Sequence, residues 1–155
     1  MNFPTRYTPS TRMRRMRRDA FSRQLMQENT LTVKDLILPV FILEGQNVEQ
    51  DVTSMPGVKR QSLDKLFYTC EECVNLGIPL IDLFPADLSN KSLYAEEAYN
   101  PDGLVPTAIR EIRARFPDLG VMTDVALDPY TTHGQDGIID ETGYVMNDIT
   151  IAVLI

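Results

Sequence analysis

The segment Thr123 to Gly137, TDVALDPYTTHGQDG, sets three carboxylates, Asp124, Asp128 and Asp136, around His133, the only histidine in the chain. Carboxylates beside an imidazole can exchange protons with a substrate, and oxygen donors of this kind suit a hard divalent cation. Three of the four residues also have local explanations. Asp128-Pro-Tyr, His133-Gly134 and Asp136-Gly137 all fit turns, because Asp bonds readily to its own backbone and Gly relieves it. Asp124 has no such explanation. It stands between Thr123 and Val125 in an apolar stretch, where a buried carboxylate costs several kcal/mol unless it is paired, protonated or bound to a cation. A functional role is therefore expected for Asp124 first. No Lys or Arg follows Arg115, so nothing downstream neutralises the cluster. Asp82 is a second mid-strand acid, without acidic neighbours.

The elements that must position these residues alternate between strand and helix signals. Residues 36–43, LILPVFIL, form a continuous apolar run of the kind that marks a strand buried on both faces. Pro39 cannot donate to a ladder, so a bulge or an unpaired position is expected there. Residues 44–61 are polar around Met55-Pro-Gly57 and read as a hairpin excursion. Ser62 is placed to cap a helix over residues 63–75, with Gly77 at its C-terminal end. Residues 78–84 make a second strand and 86–103 a long loop. Val105, Ala108, Ile109, Ile112 and Phe116 then mark a second helix face. Residues 120–127 read as a third strand, 128–143 as an acid-rich loop, and 147–155 as an apolar segment with no stop signal of its own.

Strand–helix alternation predicts a parallel α/β sheet with right-handed crossovers. No GxGxxG follows the first strand, which argues against a dinucleotide-binding open sheet. Each long polar loop instead follows a strand, as in a (β/α)8 TIM barrel, whose sites lie at the C-terminal ends of its strands. Such a barrel has eight strands over roughly 250 residues, and three strands are fewer than half of its set, so a barrel truncated at its C-terminal end is expected. Strand pleating predicts that Asp124, Ala126 and Asp128 face the barrel interior while Val125 and Leu127 meet the helices.

Charge divides the chain in two. Residues 1–30 hold seven Arg against Asp19 and Glu28, whereas residues 31–155 carry a strong acidic excess within an overall net charge of −7. A basic arm over 1–30 and a partial-barrel domain over 31–155 are expected. The arm lacks aromatic residues interleaved with its arginines, and its body repels polyanions, so nucleic acid is not the expected partner. Protein docking onto an acidic neighbouring copy is. Residues 19–29 read as a short helix with Phe21, Leu25 and Met26 as its apolar contacts. The longest apolar run falls far short of the roughly 20 residues a membrane helix needs, and no secretory signal precedes the arm, so a cytoplasmic location is expected. Cys70 and Cys73 share a helical spacing with Leu63, Leu66, Phe67 and Val74, which predicts buried thiols rather than a metal or redox pair.

Several motifs, in order, carry a family resemblance. DVALDPYTTHGQDG, Arg12-Met-Arg-Arg15, Asp35-Leu-Ile-Leu-Pro-Val-Phe41, Ser54-Met-Pro-Gly-Val58, Ala98-Tyr-Asn-Pro-Asp-Gly-Leu104 and Gly143-Tyr-Val-Met-Asn-Asp148 together resemble the porphobilinogen synthase (5-aminolaevulinate dehydratase) family over essentially the whole chain. The resemblance implies a TIM barrel with an arm that wraps neighbours in a homo-octamer. It also implies condensation of two 5-aminolaevulinate molecules to porphobilinogen with loss of water, in tetrapyrrole and haem biosynthesis. Substrate is held there as lysine Schiff bases in later strands. Lys34, Lys59, Lys65 and Lys91 match none of those lysines, so the chain alone is expected to be inactive. Zinc-dependent members carry cysteines where this chain has Ala126, Asp128 and Asp136. Zinc is therefore not expected at that site, and magnesium is, although no ligand is assigned firmly. Asp124 matches an active-site acid, while Asp128, Asp136 and His133 are expected to shape the substrate pocket or to hold a cation. Two other readings stay open: a non-catalytic assembly fragment, and a small acidic domain that binds a divalent cation.

Overall fold

The structure is a computed structural model that describes Tyr7 and residues 9–155. The chain divides into two compact units, Met1–Thr32 and Val33–Ile155. In the first, two short helices, α1 (Arg15–Arg18) and α2 (Ala20–Leu25), meet at Asp19. The Ser22 hydroxyl donates to the Asp19 carbonyl at 2.9 Å, and the Arg23 guanidinium donates to the carbonyls of Arg17 and Arg18. The second helix is shorter than the sequence predicts, because the polar run Gln27-Glu-Asn-Thr30 offers nothing apolar to bury. Phe21, Leu25 and Met26, the expected contacts of this helix, are exposed.

The second unit is built on one sheet. Its strands are β1 (Ile37–Leu43), β2 (Glu49–Asp51), β3 (Lys59–Ser62), β4 (Leu80–Pro85) and β5 (Gly120–Thr123), in the order β2-β3-β1-β4-β5. The hairpin expected around Met55-Pro-Gly57 is β2–β3, the sheet's antiparallel pair, and β3 runs parallel to β1. From β1 to β4 and from β4 to β5 the chain crosses through a helix, α3 (Leu63–Leu76) and then α4 (Leu104–Arg115), and each time lands on the next parallel neighbour. The two helical crossovers step in one direction, from β1 to β4 to β5, with the β2–β3 excursion on the other side of β1.

Pro39 fits without a bulge. The β1–β4 register runs unbroken from Ile37↔Leu80 to Ile42↔Pro85, whereas pairing with β3 begins only at Phe41. The β3 side of Pro39 therefore has no ladder partner. Ser62 takes the N-cap position of α3, but its hydroxyl does not cap the helix. It donates to the Val48 carbonyl and the Asp64 carboxylate and accepts the Val48 N–H, joining the hairpin to the helix. Gly77 ends α3 with φ 76°, the left-handed geometry that glycine adopts without a Cβ penalty.

The core lies between the sheet and the two crossover helices. Val40, Ile42, Ile81 and Leu83 meet Leu66, Cys70 and Cys73 of α3 and Ala108 and Ile112 of α4. Each large side chain buried here contributes about 1.5–3 kcal/mol. Both cysteines belong to this core, as their spacing predicts. Arg115 stacks on the Phe67 ring at 3.8 Å and pairs with Glu111 at 3.6 Å. The last basic residue before the acid cluster is thus spent on the helix side.

The third strand ends earlier than expected, at Thr123 rather than Leu127. Its last ladder partner is Leu83, and the facing strand then ends at Pro85, which has no N–H to offer. The predicted alternation stops with the strand. Leu127 is buried as expected, but Val125, expected to face the helices, is 70% exposed.

Candidate active site

Asp124 is the first residue past the C-terminal end of β5, the place where a barrel builds its site. Its side chain is exposed. Met122, two residues earlier, faces away from the helix core and is 39% exposed.

The loop that follows is folded by its own polar groups. Leu127 opens a turn in which its carbonyl accepts the N–H groups of Tyr130 and Thr131 at 2.9 and 3.0 Å. Asp128 lies inside that turn, where Asp-Pro belongs, with its side chain exposed. Asp136 reaches back so that its Oδ1 accepts the Leu127 N–H at 2.7 Å. The Nδ1 of His133 accepts the Gln135 N–H at 3.1 Å, which leaves the ring's proton on Nε2, and Nε2 is buried without a partner. Gly134 after it has φ 70°, as the turn reading of His133-Gly134 requires.

This loop is pinned to the one that follows β4. Ser92 and Thr131 form a parallel bridge, in which the Ser92 N–H donates to the Tyr130 carbonyl and the Thr132 N–H to the Ser92 carbonyl. A second small core forms beneath the two loops from Ala95, Leu127 and Ile138, joined by Tyr130, Met146 and residues of α5 (Asn147–Leu154). Thr150 of α5 accepts the Ile138 N–H through its hydroxyl at 3.0 Å. Gly137 is held so closely that a Cβ there would come within 2.8 Å of Val145. Burial, with the Glu97 carboxylate nearby, raises the Tyr130 phenol above its ordinary range, so it stays protonated at neutral pH and can donate a hydrogen bond. On the other side of the mouth, Arg60 pairs with Asp87 at 2.8 Å and Glu44 accepts the Ser89 N–H, tying the loop after β4 to β3 and to the end of β1.

Sequence reasoning singled out neither Tyr130 nor Thr131, although both lie in the opening segment. A proline-flanked tyrosine and a buried threonine carry no charge to betray them. The Arg60–Asp87 pair had no signal either, because its partners are 27 residues apart.

Among the described residues, no three His, Cys, Asp or Glu side chains are placed to hold a metal ion. Ala126 offers only a methyl group, and Asp136 is engaged with backbone. The chain's own residues thus form no closed cation site. A cavity of about 580 Å³ is lined by Tyr99 and by Asp148, Ile149, Ala152, Val153 and Ile155 of the C-terminal segment, with none of the candidate site residues on its wall. Its apolar lining marks an uncovered face of α5.

Among the lysines, Lys59 is unsuited to imine formation. Lys59 pairs with Glu49, and this hydrogen bond raises its pKa, the opposite of what a nucleophilic amine needs. Lys34 and Lys91 are exposed.

Comparison with known proteins decides the family. Residues 10–155 match the family described as Delta-aminolevulinic acid dehydratase. The chain belongs to that family. The dehydratase of Bradyrhizobium diazoefficiens is 46% identical over 145 residues, covering 93% of this chain and 41% of the relative. The chloroplastic dehydratase of Selaginella martensii is 44% identical over 154 residues, covering 96% of this chain and 35% of the relative. The crystal structure of the Toxoplasma gondii ME49 dehydratase, in complex with its reaction product porphobilinogen, superimposes with a TM-score of 0.83 at 42% identity, covering 93% of this chain and 41% of that one. The chain therefore spans about two fifths of the length of these dehydratases, and its α/β unit is a partial TIM barrel. No described helix is long and apolar enough to cross a membrane.

Proposed function

We propose that the chain supplies the arm and the first barrel strands of a lyase that condenses two molecules of 5-aminolaevulinate to porphobilinogen, and that it has no activity by itself. The observation that carries this reading is the family match over residues 10–155 together with Asp124 at the C-terminal end of β5. An exposed carboxylate at a barrel mouth is suited to accept a hydrogen bond from a substrate amine and to take its proton. Tyr130, still protonated at neutral pH, is a hydrogen-bond donor on the adjoining loop. The Schiff-base lysines are assigned to later strands, because Lys59 is held by Glu49 with a raised pKa and Lys34, Lys65 and Lys91 lie outside the strands.

Oxygen donors at Asp128 and Asp136, in place of thiols, favour magnesium over zinc for the longer protein. With no closed set of ligands in the described residues, no step of the reaction is assigned to a cation. The exposed Phe21, Leu25 and Met26 beside the arm's arginines suit docking onto the acidic body of another copy, in support of a homo-octamer. Two unpaired thiols, Cys70 and Cys73, suit a cytoplasmic setting.

Borohydride reduction in the presence of 5-aminolaevulinate, followed by peptide mass spectrometry, tests the reading. The longer protein should acquire reduced adducts on lysines beyond residue 155 and none on Lys34, Lys59, Lys65 or Lys91. Adducts on any of those four would overturn the assignment.

A further inference from the structure

The three consecutive parallel strands β1, β4 and β5 contain one ionisable side chain, Asp82. Its neighbours Ile81 and Leu83 are fully buried against the helix core, so the pleat turns Asp82 to the opposite face, the barrel interior. The registers Pro39↔Asp82 and Asp82↔Met122 put it in the middle of a cross-strand row whose other members are apolar. One pleat repeat higher, Phe84 lies against Phe41 with ring centroids 6.0 Å apart. One repeat lower is Leu80. Asp82 Oδ1 is buried without a hydrogen-bond partner.

Turn chemistry explains nothing at mid-strand, and no ion pair to Asp82 is present among the described residues: Arg60 is paired with Asp87, and Arg115 with Phe67 and Glu111 on the helix side. The interior face itself is open in this chain, with Ile37 48% and Met122 39% exposed. In the family's full-length barrel, further strands close over this face. A neutral donor brought by those strands would satisfy the oxygen but leave a charge uncompensated among apolar side chains, which is why buried carboxylates are found paired.

We propose that Asp82 is the counter-charge of a cationic side chain, lysine or arginine, carried into the barrel interior by the strands that complete the fold in the longer protein, and that it positions that side chain beneath the site. Asp82 pairs in register with Met122, one residue before the last residue of β5, so the paired cation stands below the strand end that carries the proposed substrate acid. The inference rests on the reading of the chain as part of a longer barrel enzyme.

The test compares wild-type longer protein with Asp82→Asn, Asp82→Leu and Asp82→Glu. Breaking a buried ion pair is strongly destabilising, so Asn and Leu should each lower Tm by about 5 °C or more. Both should cut kcat by about tenfold or more with KM changed less than about twofold, the signature of lost positioning. Glu, which keeps the charge, should restore part of both. A Leu variant with Tm at or above wild type would show that no cation is paired there. A lowered Tm with unchanged kcat would overturn the positioning role. If the wild-type protein forms no porphobilinogen, the functional reading fails, while the Tm comparison still decides the pairing.

Discussion

The Asp136 carboxylate and the backbone N–H of Leu127 close a nine-residue span at 2.7 Å, and the side chain of Leu127 anchors the second core beneath it. One of the acids that looked like a cation ligand in the sequence is thus the clasp of the loop that carries the site.

Removal of that clasp should loosen the loop without unfolding the sheet. In Asp136→Ala the Leu127 N–H loses a charged acceptor, at a cost of about 1–3 kcal/mol. Hydrogen exchange of the Leu127 amide should quicken by about tenfold or more, while amides of β1 and β4 keep their protection. Asp136→Asn retains an acceptor oxygen and should lose much less. Unchanged Leu127 exchange in the alanine variant would contradict the clasp.

The thiols of α3 should be inert. Burial pushes the Cys70 thiol up to about 12, with the neighbouring Cys73 adding to the shift, and burial also raises Cys73. Thiolate is the reactive form. At pH 8 an aromatic disulfide reagent should titrate neither thiol in the folded chain and both in denaturant. Rapid labelling without denaturant would show that α3 does not pack as described.

Asp64 gives stability a defined pH dependence. Its carboxylate accepts the Ser62 hydroxyl and the Asn47 N–H, which together hold its pKa below the ordinary 3.8. A depressed folded value means stabilisation that is present above about pH 4 and lost as pH falls through the folded value. Asp64→Asn should therefore melt below wild type at pH 7, and the gap should narrow as pH falls below the ordinary carboxylate range. A gap that persists at the acid end would assign the effect to something other than ionisation.

Most of the fold could be read from residue order. β1, β4, α3 and α4 follow from apolar runs and helical spacing, and Gly77 stops α3 where a left-handed residue is needed. The errors share a cause in partners remote in sequence. The length of β5 depends on Pro85 of the adjoining strand, and the Ser62 hydroxyl is engaged by Val48 from the hairpin and by the Asp64 side chain rather than by the backbone of its helix. The site was half legible. Asp124 stands out because no turn explains it, whereas the bond from Leu127 to Asp136 and the Ser92–Thr131 bridge exist only once two loops meet. Asp82 was visible as an oddity, and its orphaned oxygen emerged only with the pleat and its neighbours in place.

Porphobilinogen formation from 5-aminolaevulinate tests the central claim most directly. The 155-residue chain should form none, and a longer protein that continues the barrel with its lysines should form it. Product from the 155-residue chain alone, or its absence with the longer protein, would contradict the account.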